Sequence, residues 1–90
     1  MSKLSGVEIA QELKTIPGWE LKEGQITRVY KFRDFPEAVA FVNRILPMAE
    51  AADHHPDIDI RYNRVQLTLS THSEGGLTSK DFALARQIGV

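Results

Sequence analysis

The chain has 90 residues, a formal net charge of −1 and no cysteine. Such a length holds one domain, residues 1–90, whose modest core buries only about 60–65% of the unfolded surface. Disulfides and thiolate metal sites are excluded, the charge gives no electrostatic footprint for nucleic acid or an anionic membrane, and no apolar run approaches the ~20 residues of a membrane span.

The N-terminal residues lack the apolar core of a signal peptide, so the cytoplasm is the expected location. Small domains without disulfides often gain stability by self-association, which is expected here.

Ser5 to Ile16 reads as a helix. Ser5 caps it, Glu8 completes a capping box, and Val7, Ala10, Leu13 and Ile16 recur at helical spacing with Ile9 beside them. Pro17-Gly18 ends it. Trp19–Lys22 and Ile26–Phe32 are strands joined by a turn at Glu23-Gly24. The second strand carries Ile26, Arg28, Tyr30 and Phe32 on one side and Thr27, Val29 and Lys31 on the other.

A second helix is expected from Asp34 to Ala52. Asp34 is its cap, Glu37 stands at the capping-box position, and Pro36 lies in the first turn, where a missing N–H costs nothing. Ala38, Phe41, Val42, Ile45, Ala49 and Ala52 form its apolar face. Val39, Leu46 and Met48 are apolar surface outside that face and suggest an oligomer contact. Pro47 removes the bond to the Asn43 carbonyl and is expected to kink the helix.

Asp57 to Tyr62 alternates, Asn63-Arg64 offers a tight turn, and Val65, Leu67 and Leu69 alternate with polar residues, giving a second hairpin. Asp57 and Asp59 share a strand face, most simply the solvent side, and Trp19 reads as core or rim packing. Residues 72–77 read as a loop. Thr78 and Asp81 form another capping box before a third helix through Phe82, Leu84, Ala85 and Ile88, stopped by Gly89. The order α-β-β-α-β-β-α predicts an α+β sandwich, a four-stranded antiparallel sheet with helices on one face.

The chemistry-bearing stretch is Glu50-Ala-Ala-Asp53-His54-His55-Pro56. The remaining histidine follows in Ser70-Thr71-His72, and Asp81 lies beyond it. Imidazole titrates nearest neutrality of the side chains, so grouped histidines can serve as general acid and general base. The two adjacent histidines follow the negative end of the second helix, which attracts positive charge, and Glu50 and Asp53 act in the same direction. A single histidine there is ordinarily a cap or a solvated residue; the pair together with His72 and Asp81 favours chemistry.

Three imidazoles and a carboxylate are an acceptable zinc set. Neighbours in an extended segment point apart, however, and no His-x-His or His-x-x-x-His spacing aims two rings at one ion, so no metal is expected. No serine sits in a nucleophile elbow, and Gly75-Gly76 is too short to cradle a phosphate.

The run Glu50-x3-His54-His55-Pro56, then Tyr62, His72 and Asp81, resembles the signature of the pterin-4a-carbinolamine dehydratases. Asp34-Phe35, Val65-x-Leu67-x-Leu69-Ser70-Thr71-His72 and Gly76-Leu77-Thr78-x-x-Asp81-x-x-Leu84-Ala85 fit the same pattern, which covers nearly the whole chain. The resemblance implies a hydro-lyase, 4a-hydroxytetrahydrobiopterin dehydratase, which removes water from the pterin carbinolamine to give quinonoid dihydropterin without metal or organic cofactor. Carried onto this sequence, it implies catalysis by His54, His55 and His72, with His54 and His72 as the main proton carriers and His55 orienting substrate. Asp53, His54, His55, Ser70, Thr71 and His72 would hold the pterin, and Glu50 and Asp81 would orient imidazoles.

The resemblance also implies a homodimer or homotetramer built through helix two and the sheet edge. Ile58 departs from the pattern, since animal members carry an aromatic residue shortly after the His-His-Pro. Two other functions fit the resemblance: a non-catalytic dimerisation or binding module, and a dehydratase-like protein in another pterin pathway, such as one linked to molybdopterin.

Overall fold

The structure, a computed structural model, describes residues 3 to 89. Its elements are α1 (Gly6–Leu13), β1 (Glu20–Lys22), β2 (Gln25–Lys31), α2 (Phe35–Ala52), β3 (Asp57–Arg61), β4 (Arg64–Leu69) and α3 (Ser79–Ile88), with a single 3-10 turn at His72–Glu74. The strands form one antiparallel sheet in the order β1-β2-β4-β3, as the α+β reading expects.

Register follows side-chain type. Ile26 pairs with Leu69, Arg28 with Leu67 and Tyr30 with Val65, while Ile58 and Ile60 pair with Leu67 and Val65. These residues share the face that packs on the helices, because side chains alternate across a strand. Asp57 and Asp59 fall on the other face, opposite Thr68 and Gln66, and are exposed. From α2, Ala38, Phe41, Ile45 and Ala49 enter the core; from α3, Phe82, Leu84, Ala85 and Ile88 do. Trp19 is buried and meets Tyr30 edge to face, with ring centroids 6.5 Å apart.

Local chemistry explains the element ends. Ser5 and Glu8 form the expected reciprocal capping box. At α2, Asp34 accepts from the Glu37 N–H, but the Glu37 carboxylate reaches the N–H of Arg33, one residue earlier than a capping box requires. α2 runs through Pro47 as one 18-residue helix, with the proline ring on its exposed side.

Several boundaries differ from the sequence expectation. α1 stops at Leu13, and Ile16 reaches the core from the turn that follows, while Val7 is 70% exposed. β1 begins at Glu20, after Trp19. The second hairpin turns at Tyr62-Asn63, since Arg61 pairs with Arg64. Tyr62 takes the left-handed φ of 53° there, and the Asn63 amide donates to the Phe32 carbonyl at 2.9 Å.

The far end of α3 is held by side chains from β2 and α2. The Tyr30 hydroxyl donates to the Gly89 carbonyl at 2.8 Å, and the Arg28 guanidinium, 4.3 Å above the Tyr30 ring, donates to the same carbonyl. Arg44 donates to the Ile88 carbonyl at 3.5 Å. Burial pushes the Tyr30 phenol above its ordinary range, against the opposing pull of the Arg28 charge. A raised folded-state value means the native state holds this proton more tightly than the unfolded chain. The phenol's contribution is therefore complete below about pH 10 and declines above it. Urea midpoints measured from about pH 9 to pH 11 should fall more steeply for the wild type than for Tyr30→Phe; parallel profiles would refute this.

Candidate functional site

The site grows from two helix ends. α2 closes at Asp53, which takes a left-handed φ of 49°, a conformation that short polar residues tolerate better than most. The N–H of His54 then donates back to the Ala49 carbonyl at 3.1 Å, and the chain leaves extended through Pro56 into β3. Because the segment is extended, the two adjacent imidazoles diverge. His54 turns inward and is 9% exposed, and His55 turns outward.

Inward, His54 meets the first turn of α3. Its Nε2 lies 2.5 Å from Asp81 Oδ1, and Asp81 is fully buried. Oδ2 of the same carboxylate accepts from the Thr71 hydroxyl and from the Thr78 backbone N–H, each at 2.9 Å. The Thr71 and Thr78 hydroxyls are 2.8 Å apart. With the Thr71 proton directed at Asp81, Thr78 donates to Thr71, and the Thr78 oxygen accepts from the Lys80 N–H at 3.3 Å.

The capping-box carboxylate of α3 thus also orients an imidazole. A carboxylate only accepts, so its partner nitrogen on His54 carries the proton. In the neutral form of the ring the lone pair is then on Nδ1. Among the described residues the ring is engaged through Nε2, by Asp81.

Outward, His55 Nε2 lies 2.5 Å from Glu50 Oε2, one helical turn back on α2. Both side chains are more than half exposed, so this pair contributes on the order of 0.2–1 kcal/mol. His55 and Glu50 rim an apolar groove of about 310 Å³ between α2 and β3, lined by Val42, Ile45, Leu46, Ala49, Pro56 and Ile58.

His72 stands on the other side of the network. The Thr71 N–H donates to the Gly76 carbonyl at 2.8 Å and the Gly75 N–H to the His72 carbonyl at 3.1 Å. Gly75 takes a φ of 69°, which glycine adopts without a Cβ clash. This tight loop presents His72 to solvent beside a hollow of about 250 Å³ shared with Gln25, Ser70, Thr71 and Gly76. The histidines are therefore arranged around one bonded network: His54 within it, His72 adjacent to its Thr71, and His55 next to His54 on the outer surface. Each hollow is lined by one ring, His72 in one and His55 in the other, and His54 lines neither. Asp53 is exposed at the helix end and Ser70 half-buried at the end of β4. Among the described residues no three histidine or carboxylate side chains converge as metal ligands, and no helix is long and apolar enough to cross a membrane.

Two residues escaped sequence reasoning. Thr78 was visible only as a helix cap, and its hydroxyl joins the network. Gln25 has no motif around it, yet its amide Nε2 lies 3.4 Å from Ser70 Oγ. The pairing Ile26↔Leu69 makes Gln25 the residue opposite Ser70, a consequence of strand register that no local pattern announces.

The family model for pterin 4 alpha carbinolamine dehydratase matches residues 2–89. The chain belongs to this family. Among curated family members, a provisionally named pterin-4-alpha-carbinolamine dehydratase of Chloroflexus aurantiacus is 56% identical over 88 residues, 98% of this chain and 95% of the relative. One from Sulfolobus acidocaldarius, under the same provisional name, is 50% identical over 86 residues, 96% of this chain and 94% of the relative.

The crystal structure of a transcriptional coactivator/pterin dehydratase from Brucella melitensis superposes with a TM-score of 0.92 at 39% identity, covering 97% of this chain and 95% of that one. A pterin dehydratase-like RuBisCO assembly factor of the alpha-carboxysome shares the fold at a TM-score of 0.62 and 20% identity, over 78% of this chain and 81% of its own. The family's fold thus agrees with the α+β architecture derived from the residues.

Proposed function

We propose that this chain is a 4a-hydroxytetrahydropterin dehydratase, acting on the tetrahydrobiopterin carbinolamine in the cytoplasm without metal or organic cofactor. The observation that carries the reading is the buried pair between His54 and Asp81; with Nε2–H held by the carboxylate, Nδ1 is the ring nitrogen that can accept a proton.

The reaction breaks the C4a–O bond. The hydroxyl leaves as water after taking a proton from an acid, a base removes the proton of the neighbouring ring N–H, and that electron pair becomes the new C=N bond. Nδ1 of His54 suits the base, and His72, beside the hollow formed with Ser70 and Thr71, suits the acid. His55 orients the substrate, steadied by Glu50, and Asp53 contributes to the polar wall. Asp81 acts through His54 by fixing its tautomer, as the carboxylate partners of catalytic histidines do elsewhere. The direct test is turnover of freshly generated 4a-hydroxytetrahydropterin, followed by ultraviolet absorbance. The expected result is a rate well above the spontaneous dehydration; a folded protein that gives no acceleration would overturn the reading.

Self-association belongs to the same proposal, as a homodimer or homotetramer through α2 and the sheet edge. Leu46 is 58% and Ile58 42% exposed across the apolar groove, and contiguous apolar surface of this kind marks interaction sites. Leu46→Asp should shift the protein to a smaller species in analytical ultracentrifugation while leaving turnover per subunit within about twofold, since exposed substitutions cost the fold little. An unchanged sedimentation profile would remove α2 from the interface. The coactivator part of the Brucella relative's description makes a protein-binding role the second reading, and this same surface would carry it.

A further inference from the structure

Resting on the dehydratase reading, we infer that Gln25 reads the amide edge of the pterin ring and so helps to set which heterocycle the site accepts.

Gln25 opens β2 opposite Ser70, half-buried, and lines the same hollow as Ser70, Thr71 and His72. Its one side-chain bond, from Nε2 to Ser70 Oγ, is long at 3.4 Å. The second N–H and both lone pairs of Oε1 have no partner among the described residues. The carboxamide is anchored on one side and open on the other.

A primary amide presents an acceptor and a donor side by side. The pyrimidine half of a pterin presents their complement, a donor at N3–H beside an acceptor at C4=O. The same matching lets Asn and Gln read adenine in two-point fashion. Ser70 holds the amide's orientation, so the pair is preorganised.

The position suits the chemistry. The wall formed by Gln25, Ser70 and Thr71 leads to His72, so a ring gripped by its amide edge would have its bridgehead carbon towards the His72 imidazole. A bicyclic ring fits a hollow of about 250 Å³, below the usual range for drug-sized ligands. Glu23 and Gly24 border the same hollow, and the left-handed turn at these two residues, with φ of 52° and 76°, fixes where β2 begins and hence where the amide stands. Gln25 itself lies outside the hydrophobic core, so its open amide atoms can serve a ligand.

The test uses 6,7-dimethyl-7,8-dihydropterin, which has no 4a-hydroxyl and cannot react, and its N3-methyl derivative. Both are titrated calorimetrically into the wild type and Gln25→Leu. The expected result is about tenfold weaker binding of the parent pterin by the variant, the worth of one hydrogen-bonded pair. N3-methylation should weaken wild-type binding by at least that factor and should cost Gln25→Leu much less, because the partner it blocks is already gone. In turnover the variant should show a raised KM with kcat little changed.

Equal losses on methylation in the two proteins would overturn the inference, as would parent binding unchanged in the variant. Gln25→Met, unbranched and of similar length, replaces Gln25→Leu if that variant does not fold, and is read by the same criteria. A wild type that binds neither pterin would sink the dehydratase reading and this inference with it. A wild type that binds and turns over, beside an unaffected Gln25→Leu, would sink the inference alone.

Discussion

Replacing His54 by glutamine should lower turnover by about 10²–10⁴-fold, the usual worth of a positioned acid–base group, while leaving the protein folded. Glutamine matters in this experiment. His54→Ala would leave Asp81 with two of its three donors, and a loss of activity would then mix catalysis with destabilisation. A glutamine amide offers an N–H towards Asp81 Oδ1 but cannot accept and release a proton near neutral pH. His72→Ala needs no such care, because the imidazole is exposed on a three-residue turn and supports nothing in the core. It should lower turnover over the same range with an unchanged melting temperature.

The two variants combined should lose less than the product of the single losses if both groups act on one proton-transfer step. Unchanged turnover in His72→Ala would move the acid to His55, which is exposed and paired with Glu50. Unchanged turnover in folded His54→Gln would end the role assigned to the buried pair.

What could be read from the sequence, and what could not, follows the range of the interactions. The capping boxes at Ser5 and Thr78 are local, a side chain reaching three residues along the chain, and the structure contains both as expected. The divergence of His54 and His55 is local as well, since neighbours in an extended segment must point apart. The same alternation that argued against a zinc site now separates a buried ring from an exposed one.

The destination of each ring is a tertiary matter. Nothing near His54 in the sequence announces that the first turn of α3, 27 residues on, will bring Asp81 against it. Asp81 carried two separate signals, a cap and an acid near a histidine. Only the fold shows that one oxygen faces His54 while the other serves the cap. The second hairpin turns at Tyr62-Asn63, one residue before the Asn63-Arg64 that the local sequence suggests, for a related reason. A hairpin's register is fixed by pairing along the whole strand, and here a tyrosine accepts a left-handed φ that the local sequence would have given to Asn63.

The dual use of Asp81 makes its replacement the one that should cost most stability within this polar network. Three donors converge on its two oxygens: Nε2–H of His54, the Thr71 hydroxyl and the Thr78 backbone N–H. Asp81→Asn keeps the shape but turns one acceptor into a donor. If the amide nitrogen takes the Oδ2 position, it faces two donors. If it takes the Oδ1 position, it faces the His54 N–H, and relief requires moving the ring proton to Nδ1. The first arrangement leaves a buried donor unsatisfied and the second reverses the tautomer that the proposed chemistry needs.

Breaking a buried, hydrogen-bonded pair in this way should destabilise the domain by about 3 kcal/mol. In a domain this small that lowers the melting temperature by roughly 10–20 °C. Turnover measured well below the new midpoint should still fall by about tenfold or more, because a wrong tautomer persists in the folded fraction. Thr71→Val separates the two effects. It removes one donor to Asp81 while leaving the pair with His54 intact, so it should cost about 1–2 kcal/mol; because Thr71 also lines the hollow, KM should rise, while kcat at saturating substrate should fall far less than in Asp81→Asn. Equal stability of Asp81→Asn and the wild type, by urea unfolding at neutral pH, would mean that the carboxylate is not the hub of this network. Reduced stability with full turnover in the folded fraction would leave Asp81 as a helix cap and remove its part in orienting His54.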